Sequence, residues 1–256
     1  MKRKEESPLT SRSVIFTNVH KGASTFIADD LGRFLARSPH YDELRPVGAL
    51  RLRGTEIADH TDWPADGLVG VRIYPAELRD LLAEAPGFTD FSKEAALIFV
   101  QRDPRDAAVS LFYSKAYSHT TKVLNKERFV EERERLQSMT PTDGVRELTY
   151  RPAIAEFSKL HQLHEEHGGL MTKYEDLVTA PRQWFQNVGV FVGWSQDFIK
   201  EISAQFIDSF APPDVADPLQ HKRRITPGNW REVFDDELIA DFDAKIGDRL
   251  RANGYA

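Results

Sequence analysis

The sequence predicts an α/β fold: a central, mainly parallel sheet flanked by helices on both faces. Three observations carry this. Short β-rich runs alternate with helical patterns from Val14 to about Gly193. Two of those runs, 14–19 and 96–101, lead directly into turns that open helices. The stretch Ala96-Leu97-Ile98-Phe99-Val100 is continuously apolar, as a strand buried in a sheet is.

Taken in order, residues 1–12 are polar and expected to form a mobile tail, leaving 13–256 as one domain. Strands are expected over 14–19, 67–74, 96–101 and 169–174. A helix over 24–36 follows from Phe26, Ile27, Leu31, Phe34 and Leu35 at helical spacing. Further helices are expected over 75–85, 104–118, 126–137, 145–166, 181–192 and 197–207. Asp103 is a good N-cap for the helix at 104, and Pro104 suits its first position. A terminal amphipathic helix over 237–253 has Leu238, Phe242, Ile246 and Leu250 at spacing four, with Gly254 as a stop. Residues 209–228 carry four prolines and a basic cluster, and read as a long loop that orders over a bound ligand.

Composition bounds the function. The chain has 256 residues, 41% hydrophobic and 29% charged, which suits one sizeable soluble core. It has no cysteine, which excludes disulfides, a thiol nucleophile and a thiolate metal site. No apolar run approaches the roughly 20 residues of a membrane span, and the basic start Met1-Lys2-Arg3-Lys4 lacks the apolar core of a signal peptide. A cytoplasmic protein without membrane partners is expected. The net charge of -6 argues against general nucleic-acid binding and isolates the cluster His221-Lys222-Arg223-Arg224.

Two segments carry chemistry. Arg102 stands at a strand's carboxyl end, and Ser110 lies about two turns into the following helix. Together they can clamp a phosphate, because a guanidinium fork matches phosphate oxygens. Upstream, His20-Lys21-Gly22-Ala23-Ser24-Thr25-Phe26 sits between a strand and a helix N-terminus. Free N–H groups, a helix dipole and a cation would all face one anion there. The loop lacks the G-x-x-x-x-G-K-[ST] spacing of a Walker A motif.

With two later segments, these motifs make the chain resemble the cytosolic-type sulfotransferases, which use 3′-phosphoadenosine 5′-phosphosulfate (PAPS) and release 3′,5′-diphosphoadenosine (PAP). Lys21 to Phe26 resembles that family's 5′-phosphosulfate loop, and Arg102 to Ser110 its 3′-phosphate motif. Tyr174-Glu175-Asp176-Leu177 with Pro181 resembles its central segment. Lys222 to Trp230 resembles its late segment, with Arg224, Ile225 and Asn229 standing where lysine, glycine and aspartate are usual. The resemblance implies a P-loop-kinase-like fold and sulfonyl transfer to a small-molecule hydroxyl or amine.

It also implies roles. Lys21 would stabilise the leaving bridging oxygen. Gly22, Ala23, Ser24 and Thr25 would hold the 5′-phosphate, and Phe26 and Tyr174 the adenine region. Phe206 is a looser candidate there, with core packing as its other reading. Arg102, Ser110, Arg223 and Arg224 would hold the 3′-phosphate, and Trp230 would anchor the late loop. No metal is required, and a monomer or weak homodimer is expected. Many members carry a base histidine shortly before the strand that leads to the phosphate-binding arginine. The matching stretch here, Gly70 to Pro75, has none. His119 and His60 are the substitutes considered, and His20 is read as a loop residue. A P-loop-type kinase and a silent PAPS- or PAP-binding protein are the alternatives. His161, His164 and His167, at helical spacing, are read as a solvated face rather than a zinc site.

Overall fold

The computed structural model describes residues 11–46, 63–118, 126–210 and 225–255. Five strands form one parallel sheet in the order β2-β3-β1-β4-β5: β1 Val14–Asn18, β2 Glu43–Pro46, β3 Leu68–Ile73, β4 Ala96–Gln101 and β5 Leu170–Lys173. Strand alternation divides the core. Val14 and Phe16 of β1, with Ile98 and Val100 of β4, face a layer holding Ile27, Leu31, Trp184, Phe185 and Ile202. Ile15 and the offset residues Leu97 and Phe99 face Leu78, Phe88, Leu160 and Leu163 on the other side. Both faces are therefore apolar, and the central strands are buried throughout.

The chain leaves β1 toward β2 and β3, and reaches β4 and β5 on the other side. Adjacent strands β1 and β4 thus send their following segments in opposite directions, and a crevice opens at their carboxyl ends. Val14 lies opposite Ala96 and Asn18 opposite Val100, so the two ends are level. After β1 comes a loop and then a wide π-type turn, Phe26–Leu31, continuous with the helix Gly32–Arg37. After β4 comes the helix Pro104–Tyr113, capped by Asp103, which accepts from the backbone N–H of Arg105 at 2.9 Å. That helix widens to a π-type turn at Ser114–Ser118.

Several expectations are corrected. Two elements join those expected, the edge strand β2 and a helix at Pro86–Glu94. Tyr174 opens the short helix Tyr174–Thr179 rather than ending a strand. His161 is not solvated: it is buried against Phe157, and its Nε2 meets Gln101 Oε1 at 3.0 Å. It shares the helix face of Phe157 and Leu160, so burial and the charge of Arg249 lower its pKa to about 4. The terminal helix runs Asp236–Ala252, with all four expected apolar residues buried. Among the described residues, no helix is long and apolar enough to cross a membrane.

Candidate functional site

The loop after β1 has an unusual backbone. Lys21 and Ala23 both have φ of 65°, while Gly22 between them keeps a negative φ. Alternating signs turn successive N–H groups toward one side, which builds a concavity for an anion. The Gly22 N–H donates to Val19 O at 3.0 Å and closes the turn. A Cβ on Gly22 would stand 2.9 Å from that same oxygen, so the close approach requires glycine.

Arg102 joins this loop to β4. Its Nη1 donates to the Lys21 carbonyl at 2.7 Å, and its guanidinium lies over the Tyr174 ring. Its Nε is buried with no partner in the protein, so a donor remains for a ligand. Burial, and then the nearby Arg102 charge, lower the Lys21 pKa to about 8. Two cations held this close in a partly dry site call for an anion.

The cleft they line has about 1040 Å³ of open space. Lys21, Ala23, Ser24, Thr25, Phe26, Arg102, Ser110 and Tyr174 all border it. Gly22, expected to hold the 5′-phosphate, does not border it, and its N–H is committed to Val19 O. Phe206 does not reach the cleft. It sits behind Phe26, edge-on at 5.3 Å, and packs on Phe34 and Phe185, while Phe210 takes the cleft-facing place beside Phe26. His60, His119, Arg223 and Arg224 lie outside the described residues.

Other lining residues escaped the sequence reading. Tyr113, Ser114 and Ser118 continue the face of Ser110 along its helix, a signal visible as spacing of three and four. Asn229 lines the cleft with a buried Oδ1 that has no partner, and its Nδ2 donates to the Thr226 carbonyl. Asp106 fixes this late segment from below. Its carboxylate accepts from the N–H groups of Gly228 at 2.6 Å and Trp230 at 2.9 Å. Trp230 is further held by Arg105, stacked at 4.0 Å and itself paired with Asp103. Ile225 stays close to the adjoining helix, its carbonyl accepting from the Tyr174 hydroxyl at 3.4 Å.

Comparison with known proteins adds a family. A model described as a sulfotransferase domain matches residues 89–254. No curated protein matches the chain. A crystal structure of mouse sulfotransferase SULT7A1 complexed with PAP is similar in fold, with TM-score 0.56 at 12% identity over 94% of this chain and 85% of that one. A retinol dehydratase in complex with retinol and PAP gives TM-score 0.47 at 17% identity, over 95% and 82%.

Proposed function

The chain belongs to the sulfotransferase domain family, and from that premise we propose that it moves a sulfonyl group from PAPS to a hydroxyl or amine of a small-molecule acceptor. PAPS, the donor substrate, supplies the activated sulfonyl group. The observation that carries the reading is one cleft with two cations, Lys21 and the partnerless Nε of Arg102, beside a loop of alternating φ.

In this reading the N–H groups around Ala23, with Ser24 and Thr25, hold the 5′-phosphate. Arg102 and Ser110 hold the 3′-phosphate, joined by Arg223 and Arg224. Phe26 and Tyr174 take the adenine region. Lys21 is a compact cation with rotatable donors, suited to neutralise charge that grows on the bridging oxygen as the acceptor attacks sulfur in line. Tyr113, Ser114 and Asn229 are added to the ligand-facing set because they border the same cleft.

Calorimetric titration with PAP and with AMP tests this. The two differ by the 3′-phosphate, which Arg102 and Ser110 are assigned to hold. PAP is expected to bind roughly 100-fold more tightly than AMP, in line with two charge-assisted contacts. Equal affinities would remove the clamp and, with it, the reading.

A further inference from the structure

Outside the cleft described above, the side chains around His20 form a second built group. Glu156, from the helix Tyr150–His167, holds His20 twice. One carboxylate oxygen accepts the His20 backbone N–H at 2.8 Å, and the other meets Nδ1. The carboxylate fixes the proton on Nδ1 and leaves the Nε2 lone pair as the ring's basic site. The ring lies flat on Tyr74, centroids 3.9 Å apart and planes within 5°. Tyr74 in turn hydrogen-bonds the hydroxyl of Ser24, in the anion loop. The histidine is thus fixed in tautomer, in plane and in position against that loop, immediately before Lys21. Its side chain is nevertheless 47% exposed.

A histidine placed only for stability would not need all three constraints while leaving half its surface open. A small cavity beside it is lined by His20, Glu156 and Arg102, together with Ala107 and Leu111 of the helix that carries Ser110. His20 is tied to the cleft through Tyr74, whose partner Ser24 borders it beside Lys21. Tyr74 itself is unsuited to take a proton at neutral pH, because its phenol is buried and pushed up.

We propose that His20, oriented by Glu156, is the general base for the acceptor. The inference rests on the sulfonyl-transfer reading above. The acceptor oxygen or nitrogen forms a bond to sulfur, and its proton passes to His20 Nε2. The bond from sulfur to the bridging oxygen breaks, and its electron pair leaves with the 5′-phosphate of PAP. Lys21 and His20, adjacent in the chain, then serve the two ends of one displacement. Among the described residues, the charged and titratable groups around His20 are Glu156, Tyr74 with Arg72 and Glu77 beside it, and Lys21 and Arg102 from the anion site.

The test compares wild type, His20→Ala and Glu156→Gln by PAP binding and by sulfate transfer from labelled PAPS to water and to added 2-naphthol. Binding of PAP reports on the underlying reading and on folding: a wild type that does not bind PAP fails the sulfonyl-transfer reading itself. Given binding, His20→Ala is expected to keep PAP affinity within about twofold and to slow transfer roughly 100-fold, the usual scale for a general base. The wild-type rate should fall at low pH as the base protonates, and that limb should vanish in His20→Ala. Glu156→Gln should slow transfer less and move the limb. Unchanged transfer in His20→Ala, a surviving low-pH limb in that variant, or no transfer in a wild type that binds PAPS each overturns the assignment.

Discussion

The guanidinium of Arg102 lies 4.2 Å over the ring of Tyr174. The stack fixes the plane of the fork while Nη1 is spent on the Lys21 carbonyl, so the remaining donors point in one set direction. Charge alone should therefore not replace it. Arg102→Lys is expected to weaken PAP by roughly 50-fold, through loss of the paired hydrogen bonds. AMP should change less than about threefold. Calorimetry on the variant checks both, and equal losses for the two nucleotides would assign Arg102 a purely structural role.

Lys21 gives a stability prediction with a definite sign. Its pKa stands at about 8 in the folded chain, against an ordinary 10.5. Between those values the folded state binds fewer protons than the unfolded, so stability of the nucleotide-free protein rises with pH across that window. Below pH 8 the buried charge is a constant cost. Lys21→Met is therefore expected to stabilise the nucleotide-free protein at pH 7, with the gain shrinking from pH 8 to 10.5. The same variant should lose transfer activity by roughly 100-fold or more. Urea titrations at pH 7 and pH 9.5 check the first part. A variant destabilised at pH 7 would contradict the burial argument.

Asp106 is expected to act on the late segment rather than on the ligand. Its two oxygens accept one N–H each from Gly228 and Trp230, and it is 2% exposed. Asp106→Asn replaces one acceptor with an NH₂ that faces a donor. A loss of about 1–3 kcal/mol is expected on urea unfolding. PAP affinity should fall with it, because Ile225 and Asn229 border the cleft from that segment. An unchanged unfolding midpoint would mean that the segment is held chiefly by the Arg105–Trp230 stack.

How far the sequence was legible follows from where each signal lives. The β4 strand, its Asp103 cap and the Arg102–Ser110 spacing are local, and they were readable because apolar runs and N-caps are local rules. The edge strand Glu43–Pro46 was not, since its charged and half-exposed residues carry no buried-strand pattern. The helix Pro86–Glu94 offers only Phe88 and Phe91 as large apolar anchors, amid Gly87, Thr89 and Ser92. His161 was misread because a polar residue on a buried helix face is settled by its partner. That partner, Gln101, lies 60 positions away. The His20–Glu156 contact spans 136 positions, and no spacing rule reaches that far.

Gly22 tests whether the anion loop depends on its close approach to the sheet. A methyl there would meet the Val19 carbonyl at 2.9 Å and the Val100 carbonyl at 3.4 Å, both backbone atoms that cannot rotate aside. The loop would have to move away from β4, taking the Lys21 carbonyl from Arg102 and undoing the alternating φ of Lys21 and Ala23. Gly22→Ala is expected to cost about 1–3 kcal/mol in stability and to lower PAP affinity at least roughly 30-fold, because the concavity itself is lost. Gly193→Ala supplies the comparison. Gly193 ends a helix with φ of 92° and has nothing within 4 Å of an added Cβ. It should cost about 1–2 kcal/mol through left-handed strain alone, and leave PAP affinity unchanged. If the two variants lose stability equally and both retain PAP, the loop tolerates displacement, and the anion must be held by side chains rather than by the backbone of residues 21–25.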